Sequence, residues 1–444
     1  MIDKKKIEHI FRAYDIRGIY NDDINEEIFE RIGNVFSFFV ADTVVVGCDN
    51  RESSQSLKEA FIEGVTSAGK NVIDVGMTTK PITMFVGLQK NMISAFVTAS
   101  HLPPEYNGIK FAYSNGIAFP KEDNIKIKEL FMSEKTFSGK KGSVVKINPF
   151  EDYKNYLIKK IPDPEKKLRI LLDCGNGTAG LVVRDLFEKK GYDVDTIFEE
   201  PDGRFPNRES ELLDTTLGTA KELSKKYDIA FAYDGDADRM ALIYNGKLLS
   251  AEEMAFIVLK EILKKRKGYV VTNVECSRII DKIVKENGSA IERVPVGFTY
   301  MIQAVHRRNA VYGIERSLHS CIPEVMPFDD AVAISLYTAY IVSKLDLEKI
   351  LKEVPITFME RINFDCDEKT KFEIMNRIEK TIRDKYNKYE INTMDGIRID
   401  FPDSWILLRP SNTSPMIRLT IEADRAERLE ELKREFSKII EDNL

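Results

Sequence analysis

A chain of 444 residues is long enough to bury several hydrophobic cores and divides by length into about three domains. Hydrophobic residues at 43% and charged residues at 31% exclude a disordered chain, and no apolar run approaches the roughly 18 residues that a membrane span needs. The net charge of −6 argues against a nucleic-acid surface. Five scattered cysteines (48, 174, 276, 321 and 366), with no C-x-x-C, read as reduced, mostly buried thiols of a cytoplasmic protein. Met1-Ile2-Asp3-Lys4-Lys5-Lys6 has no apolar stretch behind it, so no secretory signal is expected.

Strands alternate with helices along most of the chain. The first clear strand signal, at 44–48, is followed by Asp49-Asn50-Arg51 and a helix over about 54–68. A strand at 72–76, a helix toward Gln89 and a buried strand at 93–97 come next. The pattern restarts at 168–174, where Gly175 to Gly180 open a helix. It continues through a strand at 193–197 to the apolar run 229–233. It restarts again near 268–272 and reaches 310–313. Such alternation predicts parallel pairing of strands in three related modules. The loop at 175–180 lacks the spacing of a nucleotide-binding fingerprint and reads as a strand-to-helix turn. The tail differs: a strand is expected at 355–358, then a helix over about 369–386. Strands follow at 396–401, 404–409 and 417–423, and a last helix over about 425–440. Short loops between those strands predict antiparallel pairing.

Two loops carry chemistry. Asp234-Gly235-Asp236-Ala237-Asp238-Arg239 puts three carboxylates at alternate positions directly after a strand. That arrangement suits a hard divalent cation such as Mg²⁺, and Arg239 adds a charge suited to phosphate. An EF-hand is rejected, because Asn245 stands where its closing Glu would be. The second loop runs from Thr98 to Lys110 and contains Ser100-His101, Pro103-Pro104 and Asn107-Gly108, so it is stiff rather than helical. No G-x-S-x-G elbow surrounds Ser100, which argues against acyl transfer. A phosphoryl group on Ser100 would instead offer oxygens to a cation held by the three Asp.

Together these loops resemble the α-D-phosphohexomutases, the phosphomannomutase/phosphoglucomutase superfamily. The resemblance spans the whole chain. Phe11-Arg12-Ala13-Tyr14-Asp15-Ile16-Arg17-Gly18 is similar to the family's N-terminal motif, 98–110 to its phosphoserine loop and 234–239 to its metal loop. Gly313-Ile314-Glu315-Arg316-Ser317-Leu318-His319 resembles the sugar loop G-E-x-S-G-H, with Leu318 where the family usually has Gly. Arg409-Pro410-Ser411-Asn412-Thr413-Ser414-Pro415 resembles the phosphate loop. The fold implied is three mixed-sheet α/β modules and a C-terminal α+β domain around a central cleft, divided at 1–148, 149–250, 251–354 and 355–444.

The resemblance also implies roles. Ser100, His101, Lys110, Arg239 and His319 are the catalytic candidates. Tyr14, Arg17, Glu315, Ser317, Arg409, Ser411, Asn412 and Thr413 are the substrate-binding ones. Ser100, Asp234, Asp236 and Asp238 are the ligands expected for Mg²⁺. The activity implied is interconversion of hexose 6-phosphate and hexose 1-phosphate through a phosphoserine, with hexose 1,6-bisphosphate as intermediate and activator. The partner is a phosphorylated hexose, with neither nucleic acid nor membrane expected. Ser-Asn-Thr in the phosphate loop leans toward mannose or glucose. A phosphoglucosamine mutase and a silent sugar-phosphate-binding relative are the alternatives.

Overall fold

The computed structural model describes residues 7–12, 14–133, 135–367, 369–411 and 415–444. Four sheets follow one another along the chain. The first has six strands in the spatial order Ile16–Ile19, Tyr106–Ala112, Ser94–Val97, Thr43–Cys48, Asn71–Met77 and Val144–Lys146. The last four, from Ser94–Val97 to Val144–Lys146, run parallel, as the alternation of strands and helices predicts. Ser94–Val97 and Tyr106–Ala112 instead pair antiparallel, and so do Tyr106–Ala112 and Ile16–Ile19. The reason is local. The stiff loop between Val97 and Tyr106 is too short for a helical crossover, so the chain folds back on its neighbour.

The second and third sheets repeat the mixture. Arg169–Asp173 lies parallel to Asp193–Ile197 and to Ile229–Tyr233, but the six-residue metal loop returns the chain as the antiparallel strand Met240–Tyr244. Tyr269–Asn273 lies parallel to Ala290–Val294 and to Tyr312–Ile314, and the sugar loop returns it antiparallel at Ser320–Cys321. The three modules are therefore mixed sheets, and in each the return follows a chemically marked loop. The fourth sheet is wholly antiparallel. One of its edge strands is Phe358–Asp365, which meets the expected 355–358 run only at Phe358; strict polar-apolar alternation appears only from Arg361 to Asp365.

Burial follows the modules. A core around Phe29, Phe36, Phe61 and Phe111 fills the first domain, and one around Ile378, Leu408, Leu419 and Phe436 fills the fourth. The largest core runs continuously through the second and third domains, by way of the almost wholly apolar helix Ala331–Lys344. Burial of that helix on all sides explains why it shows no amphipathic stripe. Among the described residues, no helix is long and apolar enough to cross a membrane. Cys48, Cys174, Cys276 and Cys321 are buried and Cys366 is half-buried.

Candidate active site

Ser100 ends the loop segment that leaves the strand Ser94–Val97, and its backbone is left-handed at φ +52°. A non-glycine residue in that region is strained unless its surroundings fix it. Here they do. The Thr98 hydroxyl accepts from the Ser100 N–H at 2.8 Å. The Arg51 guanidinium donates to four carbonyls of the loop: Ser100 at 2.9 Å, Leu102 and Pro103 at 2.6 Å each, and Tyr106 at 3.0 Å. Asp49 in turn accepts from Arg51 Nε at 3.2 Å and from the Thr98 hydroxyl at 2.7 Å. Asp49 and Arg51 thus form the scaffold of the serine loop. In the sequence they show only as a polar turn after a strand.

The Ser100 hydroxyl donates to Asp234 Oδ2 at 3.1 Å, across 134 positions of chain. Asp234, Asp236 and Asp238 are fully buried, and oxygen atoms of all three lie within 4.8 Å of one another. The loop behind them is backed by the Gly175–Gly180 turn. Thr178 donates from both backbone and hydroxyl to the Gly235 carbonyl, at 2.9 and 3.0 Å. A Cβ at Gly177 would stand 2.9 Å from that same oxygen, so only glycine fits. The glycine-rich turn thus packs against the Asp234–Arg239 loop.

The carboxylates are pinned on one side. Lys110 donates to Asp236 Oδ2 and Asp238 Oδ2, both at 3.1 Å. Arg239 donates to Asp234 Oδ1 from its backbone at 3.1 Å and to Oδ2 from Nε at 3.0 Å. Asp236 Oδ1 and Asp238 Oδ1 are left buried without a hydrogen-bond partner. Buried acceptors of that kind are costly, and a divalent cation coordinated by oxygen satisfies them. Burial, reinforced by Asp238 and Asp236, pushes Asp234 up to about 7, which is the cost a cation would relieve. The residues present therefore fit Mg²⁺.

Around this point the sequence candidates converge unevenly. His101 Nε2 lies 3.3 Å from Glu211 Oε2, and Glu211 Oε1 also accepts from Arg239 Nη1 at 2.9 Å. Burial, with Arg239 and Arg17 nearby, lowers the basicity of His101 strongly, so its imidazole is neutral. His319 directs Nδ1 at Asp329 Oδ2, 2.9 Å away, and its ring stacks on Phe298 with centroids 5.0 Å apart. Arg17 pairs with Asp15 and keeps its Nε buried without a partner. Tyr14 sits edge-on to Tyr300 at 5.6 Å, against the third domain.

The sugar loop keeps its carboxylate. Glu315 is 2% exposed, and its Oε1 accepts from Asn273 Nδ2 at 3.0 Å and from the Gly297 N–H at 2.8 Å. Ser317 Oγ donates to Oε2 at 3.3 Å. Burial raises the Glu315 carboxyl. Leu318 adopts φ +73°, the conformation a glycine would supply, and the turn closes with Leu318 N to Glu315 O at 3.0 Å.

In the fourth domain Arg409 is held between two carboxylates of the third-domain side of the cleft and its own sheet. Its Nη1 donates to Glu275 Oε1 at 3.0 Å and its Nη2 lies 3.0 Å from Asp395 Oδ2. Arg361 shares Glu275 through Oε2 at 3.1 Å. Ser411 is buried; its N–H donates to the Met416 carbonyl at 2.9 Å and its carbonyl accepts from Lys371 Nζ at 2.6 Å. Asn412 and Thr413 lie outside the described residues. Sequence reasoning missed Lys80, Asp329, Glu211, Glu275, Arg361 and Phe298, which stand alone in the chain and carry no local motif.

Comparison with known proteins fits this geometry. Family models described as phosphoglucomutase/phosphomannomutase domains I, II and III and the C-terminal domain match residues 8–137, 151–247, 250–358 and 362–439. A relative from Methanopyrus kandleri named "Probable phosphoglucosamine mutase" is 33% identical over 97% of each chain. One from Thermococcus kodakarensis named "Phosphoglucomutase/phosphomannomutase" is 32% identical over 98% of this chain and 99% of its own. The crystal structure of a phosphoglucomutase/phosphomannomutase family protein from Burkholderia thailandensis superposes with a TM-score of 0.91 at 25% identity, covering 100% of this chain and 98% of that one. With models for all four domains matched in order along the chain, the chain belongs to the phosphoglucomutase/phosphomannomutase family of α-D-phosphohexomutases.

Proposed function

We propose that the chain is a phosphohexomutase that interconverts the 6-phospho and 1-phospho forms of a hexosamine, with glucosamine phosphate as its first substrate. The observation that carries the reaction is the Ser100 hydroxyl on Asp234, beside two buried carboxylate oxygens without partners. Asp234, Asp236, Asp238 and a phosphorylated Ser100 would hold Mg²⁺, which when bound neutralises charge on the phosphoryl group in flight. For the sugar, Ser-Asn-Thr in the phosphate loop points to mannose and glucose, but the Methanopyrus kandleri relative carries the glucosamine name at 33% identity. Relatives from Pyrococcus abyssi and Methanosarcina acetivorans carry the same glucosamine name over 97% and 98% of this chain, so glucosamine is taken first.

The chain's own residues then divide the work. Ser100 carries the phosphoryl group between turnovers. Transfer breaks the bond from phosphorus to Ser100 Oγ and forms one to a sugar hydroxyl; the hydroxyl's proton passes to His319, which Asp329 orients, and the departing Ser100 Oγ takes up a proton in exchange. Arg409 and Ser411 hold the phosphate that does not react, and Glu315 and Ser317 accept sugar hydroxyls, which orients the ring. The bisphosphate turns over within the cleft, and its other phosphate returns to Ser100. Burial of Ser100 to 2% keeps water from the phosphoserine.

The test is a coupled assay with glucosamine 1-phosphate, glucose 1-phosphate and mannose 1-phosphate, with Mg²⁺ and a catalytic amount of the matching 1,6-bisphosphate. The highest kcat/KM is expected on glucosamine 1-phosphate. A clear preference for mannose or glucose phosphate would return the assignment to the reading of the phosphate loop, and turnover of none would end the mutase assignment.

A further inference from the structure

Lys80 belongs to no motif, yet it joins three domains at the reaction centre. It is the first residue of the helix Lys80–Lys90, which Thr79 caps by accepting from the Ile82 N–H at 3.1 Å. Its backbone N–H donates to the Asp236 carbonyl at 3.0 Å. Its side chain is 3% exposed, and the ammonium donates to Asp238 Oδ2 at 2.9 Å and to Asp329 Oδ2 at 2.8 Å. The face of Phe298 covers it at 4.5 Å.

What Lys80 holds matters more than that it is held. Asp238 Oδ2 receives both Lys80 and Lys110, so the carboxylate cannot rotate, and Oδ1 is the atom left open. Asp329 Oδ2 receives both Lys80 and His319 Nδ1, which leaves Nε2 as the open ring nitrogen. A buried ammonium is expensive to desolvate and repels a cation bound nearby, so a residue that only filled space here would be apolar.

On the phosphohexomutase reading of this site, we propose that Lys80 is a positioning residue for phosphoryl transfer, which fixes the orientation of the Asp238 carboxylate and, through Asp329, of the His319 ring, and which does so at the expense of metal affinity.

Calorimetric titration of Mg²⁺ into wild type, Lys80→Met and Lys80→Arg, together with steady-state kinetics, tests this. Loss of the ammonium removes a like charge near the cation, so Lys80→Met should bind Mg²⁺ about tenfold more tightly. Its kcat should fall by about thirtyfold or more with KM within about threefold of wild type, because the sugar and distal phosphate contacts are untouched. Lys80→Arg keeps charge and can bridge both carboxylates, and should recover most of kcat. If Lys80→Met does not fold, Lys80→Met/Asp329→Asn removes the buried pair together and is compared with Asp329→Asn alone, with the same tighter metal binding expected. Unchanged or weaker Mg²⁺ binding, a kcat within twofold of wild type, or no recovery with Arg would overturn the role. Wild-type protein that binds no Mg²⁺ would instead sink the reading of the site, since the titration needs no substrate.

Discussion

Ser100→Ala separates stability from chemistry more sharply than any other change. The hydroxyl makes one contact, the 3.1 Å hydrogen bond to Asp234 Oδ2, and Asp234 keeps both of its bonds from Arg239. Losing one hydrogen bond to a carboxylate that stays otherwise satisfied should cost about 1–2 kcal/mol. The left-handed backbone at φ +52° adds nothing, because Ala and Ser tolerate it alike and its anchors, Thr98 and Arg51, act on the main chain. The melting temperature should therefore drop by only about 2–6 °C. Turnover should fall by about 10⁴-fold or more, as loss of a nucleophile does elsewhere. A coupled mutase assay reads the second number and thermal unfolding the first. Intact-mass measurement should show one phosphoryl addition on a fraction of wild-type protein, raised by a hexose 1,6-bisphosphate, mapped to Ser100 and missing from the variant. Bisphosphate-dependent labelling at another residue, or turnover by Ser100→Ala near that of wild type, would refute the reasoning.

Arg409→Lys keeps the charge but loses the two-pronged fork, so one charge-assisted hydrogen bond to the distal phosphate, about 1.5–3 kcal/mol, should vanish; kcat/KM should fall roughly 10- to 150-fold, and an unchanged value would make the loop a mere hairpin. Leu318→Gly relieves about 1–2 kcal/mol of left-handed strain but gives up about 1 kcal/mol of half-buried packing and about 0.5–1 kcal/mol of backbone freedom. These nearly cancel, so stability should hold within about 1 kcal/mol by denaturant unfolding, and a several-fold shift in the preference among sugar phosphates would show that Leu318 alters the loop after all. Asp330 caps the helix Ala331–Lys344, and burial pushes its carboxyl up to about 7. Because the folded state then holds the proton more tightly than the unfolded chain, this group is most favourable to stability below about pH 4, and its contribution is lost as pH rises through about 7. Asp330→Asn should flatten that part of the stability-against-pH curve, measured by urea unfolding at pH 5 and pH 8; an identical slope in both proteins would count against the shift.

Local sequence carried what local chemistry can carry. The three Asp of the metal loop alternate directly after a strand, and the stiff loop around Ser100 follows another, so both loops declare themselves within a dozen residues. Strand and helix positions were legible for the same reason, by period and by punctuation. Pairing sense was less so. Alternation implies parallel sheets, and the antiparallel returns at Tyr106–Ala112, Met240–Tyr244 and Ser320–Cys321 depend on loops too short for a crossover, which only the strand ends reveal. At the sugar loop the sequence shows only a leucine where the family usually has glycine; the structure gives Leu318 a left-handed backbone at φ +73° and packs its side chain against two cores. Lys80, Asp329, Glu211 and Glu275 were invisible, because none belongs to a local motif and each has a partner distant in sequence, 249 positions away for Lys80 and Asp329.

Those invisible residues share a physical logic. Each motif supplies a charge to the cleft, and each such charge is buried against a partner from another part of the chain: Asp238 against Lys80 and Lys110, Arg239 against Glu211, Arg409 against Glu275. Removing one member of a buried pair costs far more than the pair itself contributes, since the survivor is left uncompensated. The pairs therefore add little net stability and a large penalty for misplacement. A domain that drifts leaves charges unpaired in several places at once. That penalty is what sets four separately folded sheets in register around one cleft to the tolerance that phosphoryl transfer requires, where an error of about 1 Å costs about 10²-fold in rate. The hydrophobic cores, being nondirectional, could not do so alone: even the largest, which runs on between domains, does not fix which oxygen of Asp238 is left open.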